Sequence, residues 1–246
     1  MTHSILRFKA PMISFGAPIV SEEGLIQPFP ALSMMTGLLA NALGYDHSEA
    51  KKHERLQQAL SYAVREDEPG EKIVDYQTVW LGKESDPRRP GHDGHLYAKS
   101  KKDSHAWTTR KTKGEYLDQR AGSDSSKGTA ERNREYWADA QYTVALHADG
   151  LSAEEIEDAL RRPERPLFIG RKPCLPGTRL FQGTVEAPSP RAALKDPSTI
   201  PTNEQGEKID PTRIWYESDD GKPVTDARDW TNQVHVGERR VRKAPY

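Results

Sequence analysis

Cysteine is almost missing from this chain: Cys174 is the single one in 246 residues. No intramolecular disulfide can form, and a metal site built on several thiolates is excluded. Long apolar runs are missing too. No stretch approaches the roughly 20 residues of a membrane-spanning helix. The short apolar run at the N-terminus is interrupted by Arg7 and Lys9, unlike a secretory signal. The expectation is a soluble, cytoplasmic protein with no membrane partner. Hydrophobic residues make up only 35% of the chain, aromatics 8%, and the mean hydropathy is −0.84. The length suffices to bury a real core, so this polarity implies long polar loops or an extended arm. His92-Asp93-Gly94-His95 lacks the H-E-x-x-H pattern, and a glycine interrupts it, so no helical metal-ligand pair is expected there or with His105. The expectation is no metal and no cofactor.

The charge is present but unevenly placed. The formal net charge is −1. Residues 88–134 carry 12 Lys+Arg against 6 Asp+Glu, a local excess of +6. Residues 1–87 carry 8 against 12, and residues 135–246 carry 16 against 19. A basic middle segment on a near-neutral chain is an electrostatic footprint for polyanions. Aromatics are interleaved with it or follow it: Tyr97, Trp107, Tyr116, Tyr136 and Trp137. A solvated loop with Trp107 packed on the protein itself is the competing reading.

Periodicity organises the rest. Ile5–Phe8 alternates as a first strand. Ser33 is the expected N-cap of a helix whose apolar face carries Met34, Met35, Leu38, Leu39, Ala42 and Leu43, with Gly44 placed to stop it. Gly37 inside that helix costs about 1 kcal/mol against alanine, which suggests a close packing contact. A second helix spans about 49–60. Strands at 60–65 and 72–80 flank the turn Glu68-Pro69-Gly70. From Gly82 to about Asn133 periodicity vanishes, and a loop of such length in a compact domain is functional or disordered. Residues 141–147 restore a strand. Ser152 and Glu155 form a capping box that opens a helix, and 180–185 reads as another strand. The tail from Pro188 is Pro-rich and charged, with one possible strand at 213–216. The order fits an α+β sandwich related to the split βαβ unit, the ferredoxin-like plan, whose sheet face is a common RNA platform.

The stretch Pro166-Leu167-Phe168-Ile169-Gly170-Arg171-Lys172-Pro173-Cys174-Leu175-Pro176-Gly177 stands out. Glycine lets a backbone approach another backbone or a ligand. The adjacent Arg171 and Lys172 suit a phosphate. No acid, base or nucleophile of an obvious catalytic set sits beside them, so the turn suggests binding rather than chemistry. A surface turn with two solvated cations is the alternative.

Five segments in order resemble a known family. They are Leu6-Arg7-Phe8 with Pro11-Met12-Ile13-Ser14-Phe15-Gly16; Phe29-Pro30 with Ser33 and Gly37–Gly44; Asp75–Val79; Arg134–Leu146; and Phe168–Cys174 with Phe181 and Gly183. Together they are similar to the CasD (Cas-five) subunits of type I-E CRISPR Cascade complexes, over most of residues 4–186. The resemblance implies a ferredoxin-like (RRM-like) palm, residues 1–80 and 136–246 with an irregular C-terminal extension, and a long β-hairpin thumb over 81–135. It implies an antiviral role without catalysis. The subunit would bind and cap the 5′ handle of the crRNA, contact the CasC backbone and the CasA large subunit, and reach target DNA through the complex. Two departures matter. Phe15 stands where the family often has Trp, and Leu32 stands where it tends to carry a cation.

The candidate RNA-binding residues follow. Ser14, Phe15 and Gly16 form the loop after the first strand. Tyr76, Trp107, Arg110, Lys111 and Arg134 belong to the arm, where cations follow phosphates and an aromatic stacks on a base. Gly170, Arg171 and Lys172 form the glycine-and-cation turn. The alternative function is a metal-independent endoribonuclease that processes CRISPR repeat RNA, since His, Lys and Tyr, which can serve as acid and base, are all present in the arm.

Overall fold

The structure, a computed structural model, describes residues 1–17, 23–80 and 129–246, without the side chains of 78–80 and 129–131. In chain order the strands are β1 (Thr2–Lys9), β2 (Met12–Ile13), β3 (Glu23–Gly24), β4 (Leu60–Glu68), β5 (Glu71–Trp80), β6 (Thr129–Ala138), β7 (Gln141–Ala148), β8 (Phe181–Glu186), β9 (Arg213–Val224), β10 (Ala227–Asp229), β11 (Val234–Val236) and β12 (Arg239–Pro245). The helices are α1 (Leu32–Ala42), α2 (Ala50–Ala59), α3 (Ala153–Arg161) and α4 (Pro190–Leu194). Two compact units emerge: Met1–Val20, Gly24–Val74 and Glu135–Tyr246 in one, Ser21–Glu23 and Asp75–Arg134 in the other. No helix among the described residues is long and apolar enough to cross a membrane.

The architecture is mixed α+β. A six-stranded antiparallel sheet runs β12-β9-β4-β7-β1-β8. Period-two alternation sends neighbouring residues of a strand to opposite faces. Leu6 and Phe8 of β1, with Tyr142, Val144 and Leu146 of β7, join the core that holds Met35 and Leu39 of α1, Leu56 of α2 and Ile156 of α3. Ile5, Ala63, Ala145 and Ile214 form a second cluster under Ala193 and Leu194 of α4. Both faces of the central strands are therefore covered. This explains why β7 reads as a continuous buried run rather than an alternating one.

One buried cation ties down the second layer. Arg65 of β4 is fully buried. Its Nε donates to Asp67 Oδ1 at 2.6 Å, its Nη1 to the Leu194 carbonyl at 2.7 Å, and its Nη2 to the Thr199 carbonyl at 2.8 Å. Thr143 Oγ1 completes the Asp67 carboxylate at 2.5 Å. Burial pushes the Asp67 carboxyl up, and the Arg65 charge opposes the shift. The segment 190–199 is thus pinned to the sheet by hydrogen bonds to its carbonyls as well as by apolar contact.

Several expectations need correction. Ser33 is not the N-cap of α1. Ala31 occupies that position and makes no side-chain cap. The helix is capped from 194 residues away: Asp226 Oδ2 accepts from the Leu32 N–H at 3.1 Å, and the Asp226 carbonyl accepts from the Ser33 N–H at 2.9 Å. At Gly37 an added Cβ would meet Trp230 at 3.8 Å, an ordinary contact rather than a close one. The strand β6 begins at Thr129, inside the stretch that shows no periodicity. Its ladder is made by the backbone, so charged residues such as Arg132, Arg134 and Glu135 hide it from a reading of apolar alternation. The tail is more regular than the sequence suggests. β9 is 12 residues long, and β12 pairs along it. Ile214, Trp215 and Tyr216 of β9 are buried where it lies along β4; beyond them only Gly221 is buried, and Glu217, Asp219, Asp220 and Lys222 are exposed charges. The capping box of α3 is present as expected, with Ser152 Oγ accepting from the Glu155 N–H and Glu155 Oε2 from the Ser152 N–H.

Replacing Arg65 by Ala strands Asp67 without its counter-charge. The expected cost is about 3–5 kcal/mol, read as a fall in the urea midpoint of the full chain. A loss under about 1 kcal/mol would mean that the Asp67 site tolerates a neutral acid without rearrangement.

Candidate nucleic-acid interface

The glycine-and-cation turn is built by two buried pins. Ile169 and Cys174 are both fully buried. The Ile169 N–H donates to the Cys174 carbonyl at 2.7 Å, and the Cys174 N–H to the Arg171 carbonyl at 2.9 Å. Gly170 sits between the pins at φ +92°. A Cβ there would lie 1.6 Å from the Ser14 carbonyl oxygen. The backbone that approaches this glycine is therefore the chain's own loop after β1. The contact is reinforced by the Ser14 N–H, which donates to the Ile169 carbonyl at 3.2 Å.

Arg171 is held rather than free. Its Nη1 donates to the Glu135 carbonyl at 2.9 Å and its Nη2 to the Gly24 carbonyl at 2.8 Å. The guanidinium lies 5.0 Å from the centre of the Tyr136 ring. Among the described residues no carboxylate pairs with it, because Glu135 is engaged by Lys72 at 2.6 Å. Among the described residues the positive charge is fixed in place by two carbonyl dipoles and the face of the Tyr136 ring. Such a cation is preorganised for an anion.

Ser14, Gly16, Gly170 and Arg171 meet along one cleft of about 690 Å³. The floor of the cleft includes Ser33, Gly37, Leu38 and Asn41 of α1. Tyr45, Asp46 and His47 close one end, and Arg165 and Phe168 precede the glycine turn. Three arginines, Arg165, Arg171 and Arg228, face a single acid, Asp46. Arg165 donates to the Tyr45 carbonyl at 2.5 Å and approaches Asp46 at 3.9 Å. The Asp46 carboxyl is held below its usual range by hydrogen bonds from Ser48, so it stays charged. The cleft keeps an excess of cations over acids.

The other sequence candidates fall elsewhere. Phe15 does not face the cleft. It is fully buried, edge-on to Tyr142 at 4.9 Å and near Phe8 at 6.4 Å, so its ring belongs to the core and offers no stacking face. Lys172 is exposed and stands outside the cleft lining. Tyr76, 57% exposed on β5, and Arg134, half-buried on β6, belong to the second unit. Trp107, Arg110 and Lys111 lie outside the described residues, as do His92, His95 and His105. Among the described residues no group of three or more His, Cys, Asp or Glu could hold a metal ion.

Sequence reasoning missed part of the lining. Arg228, Trp230 and Gln233 come from the C-terminal tail, and His53 from α2. Only tertiary structure brings them to the cleft, and no local motif marks them. The second face of the six-stranded sheet is covered by α4 and the turn at 197–199, and the cleft beside α1 is a cationic concavity of this unit.

Two outcomes follow from the turn. Gly170→Ala is expected to lose about 1–3 kcal/mol from backbone conformation alone, and more from overlap with Ser14, seen as a lower melting temperature. An unchanged melt would mean the turn can be redrawn. Burial pushes the Cys174 thiol up, so a thiol-specific reagent should react slowly with the native protein and stoichiometrically after denaturation. Fast native labelling would show that the turn opens.

Comparisons with known proteins agree with this architecture. The family described as CRISPR-associated protein (Cas_Cas5) matches residues 5–242. The CRISPR system Cascade subunit CasD of Escherichia coli (strain K12) is 28% identical over 197 residues, covering 78% of this chain and 75% of that one. Two solved structures share the fold. One, titled CRISPR RNA-guided surveillance complex, gives a TM-score of 0.68 at 23% identity and covers 99% of this chain and 89% of the other. The second, a crystal structure of a Cas protein, gives 0.61 at 22% identity, with 100% and 94% covered. With its helices, its glycine turn and all of its sheet but the ends of β1 and β12 inside the matched span, the chain belongs to the CRISPR-associated Cas5 family.

Proposed function

We propose that this protein is a non-catalytic, RNA-binding subunit of a type I-E-like Cascade surveillance complex in the cytoplasm. The cleft receives the 5′ handle of the crRNA, with Arg171 and Lys172 as phosphate contacts and the Ser14–Gly16 loop beside them. The observation that carries this reading is the fixed guanidinium of Arg171, which has no carboxylate partner among the described residues, in a groove with three arginines and one acid. Charge of this kind binds phosphate and releases counterions. The strand order β4-β7-β1-β8, with α1 and α2 between β1 and β4 and α3 between β7 and β8, supports a ferredoxin-like palm. The β5–β6 pair supports a hairpin thumb that spans the basic residues. The kinship with a protein named as a Cascade subunit supports assembly with a CasC backbone and a CasA large subunit, and through them contact with target DNA.

The test compares crRNA with and without its 5′ handle across a salt series, using the full chain alone and with the backbone subunit. Handle-dependent binding is expected, weakened about tenfold or more in Arg171→Ala/Lys172→Ala, with a shallower salt slope. Equal affinity for both RNAs would defeat the proposal. The RNA should stay intact in EDTA. Specific cleavage there would instead favour the endoribonuclease reading.

A further inference from the structure

Of the residues from Asp226 to Arg239, Arg228, Trp230 and Gln233 line one wall of the cleft, and the reading above uses only the charge of Arg228. Their attachment is unusually specific. Asp226 is 2% exposed. It takes the guanidinium of Arg239 on both oxygens, with Nε at 2.8 and 3.1 Å and Nη2 at 2.7 Å. The same residue caps α1 through its carboxylate and its carbonyl. Arg239 also donates to the Tyr62 hydroxyl, which in turn donates to the Pro30 carbonyl at 2.8 Å. Two residues on, the backbone of Arg228 is gripped from both sides by Gln57 of α2. The Arg228 N–H donates to Gln57 Oε1 at 3.0 Å, and Gln57 Nε2 donates to the Arg228 carbonyl at 3.0 Å. The tail is thereby locked to the two helices that border the cleft.

What the tail presents there is a ladder of rings and cations. The Trp230 ring lies 4.7 Å from the His53 ring, tilted by 31°. The Arg228 guanidinium lies 5.4 Å from the Trp230 ring. His53 continues to Tyr45, edge-on at 5.9 Å, and Lys52 lies 5.3 Å from the Tyr45 ring. A guanidinium laid on an indole offers a flat, charged outer surface. Hydrogen-bonding capacity is also left open. Trp230 is 8% exposed and Ser14 fully buried; both line the cleft, and among the described residues Trp230 Nε1, Arg228 Nε and Ser14 Oγ have no hydrogen-bond partner. Buried polar groups are ordinarily satisfied, so three unpartnered groups able to donate, lining one cleft, call for a ligand rich in acceptors. A flat, acceptor-bearing ligand next to fixed cations is an unpaired nucleotide.

We infer that the C-terminal wall is a nucleotide subsite, in which the Arg228–Trp230 pair stacks on one unpaired base of the bound RNA and Asp226 positions that pair against α1. This rests on the cleft binding RNA and adds to it the residues that hold a single base. Asp226 acts through Arg239 and the helix cap, and so is a positioning residue.

The experiment uses the full chain and a set of handle RNAs, each with an abasic site at one position. Wild type should lose about tenfold in affinity at one position and little at the others, the range expected for one base stacked on a protein platform. Trp230→Ala and Arg228→Ala should lose a similar factor with intact RNA and nothing further with that abasic RNA. Trp230→Phe, which keeps a ring, should retain the position dependence. Arg228→Lys should keep the salt slope but lose the coupling to the abasic position. Thermal melts of each variant show which remain folded. If a variant does not fold, the Phe and Lys replacements carry the test. Additive losses from variant and abasic site, or no sensitive position while handle-dependent binding persists, would overturn the subsite and leave the proposed function standing. Equal binding of RNAs with and without the handle in wild type would remove the proposed function itself.

Discussion

The buried guanidinium of Arg65 decides what covers the second face of the sheet. A charge with no exposure to water must have every donor answered. Asp67, Thr143, Thr199 and two backbone carbonyls of the 190–199 segment answer it. The cost of leaving any of them out holds that segment against the sheet. An antiparallel sheet in this plan would otherwise show one face to solvent. Here that face is a second core under Ala193 and Leu194, and the glycine turn meets the C-terminal residues in the cleft beside α1.

The cleft itself is assembled from parts remote in sequence, each fixed by backbone hydrogen bonds rather than by side-chain packing alone. Ser14 meets Gly170 through main-chain groups, and only a residue without Cβ fits there. Arg171 spans two carbonyls from different strands. Asp226 closes the N-terminus of α1, a helix with no side-chain cap from its own N-cap residue. Each contact satisfies a group that burial would otherwise penalise. The structural work of these polar residues also keeps their charges in fixed positions, so an anion bound there would require little ordering of the site.

Parts of this organisation were legible in the sequence for definite reasons. The helix over 32–42, the strand over 141–148 and the capping box at Ser152 and Glu155 rest on local periodicity and local hydrogen bonds, and the structure has them. β6 was hidden because strand ladders use the backbone, which a polar side-chain pattern does not betray. The Ser33 cap failed because a carboxylate at position 226 outcompeted it for the end of the helix. Phe15 was assigned to the ligand because it sits in a loop between functional-looking residues; the loop turns its ring into the core beside Tyr142. Ser14, Gly16, Gly170 and Arg171 were each singled out and do share a cleft, but Arg228, Trp230 and His53 carried no local sign.

By itself the sequence determined the composition of the protein's chemistry: one thiol, a basic middle segment and a glycine next to two cations. It also determined the alternation of strand and helix, because periodicity of two or of 3.6 is a local property of the chain. Tertiary structure alone decided that both faces of the central strands are covered and which residues of the tail reach α1. It also decided that Arg171 is clamped while Lys172 stands in solvent. The reason is physical. Burial and the satisfaction of buried polar groups depend on partners from 36 to 194 residues away, and no local window of sequence contains both members of such a pair.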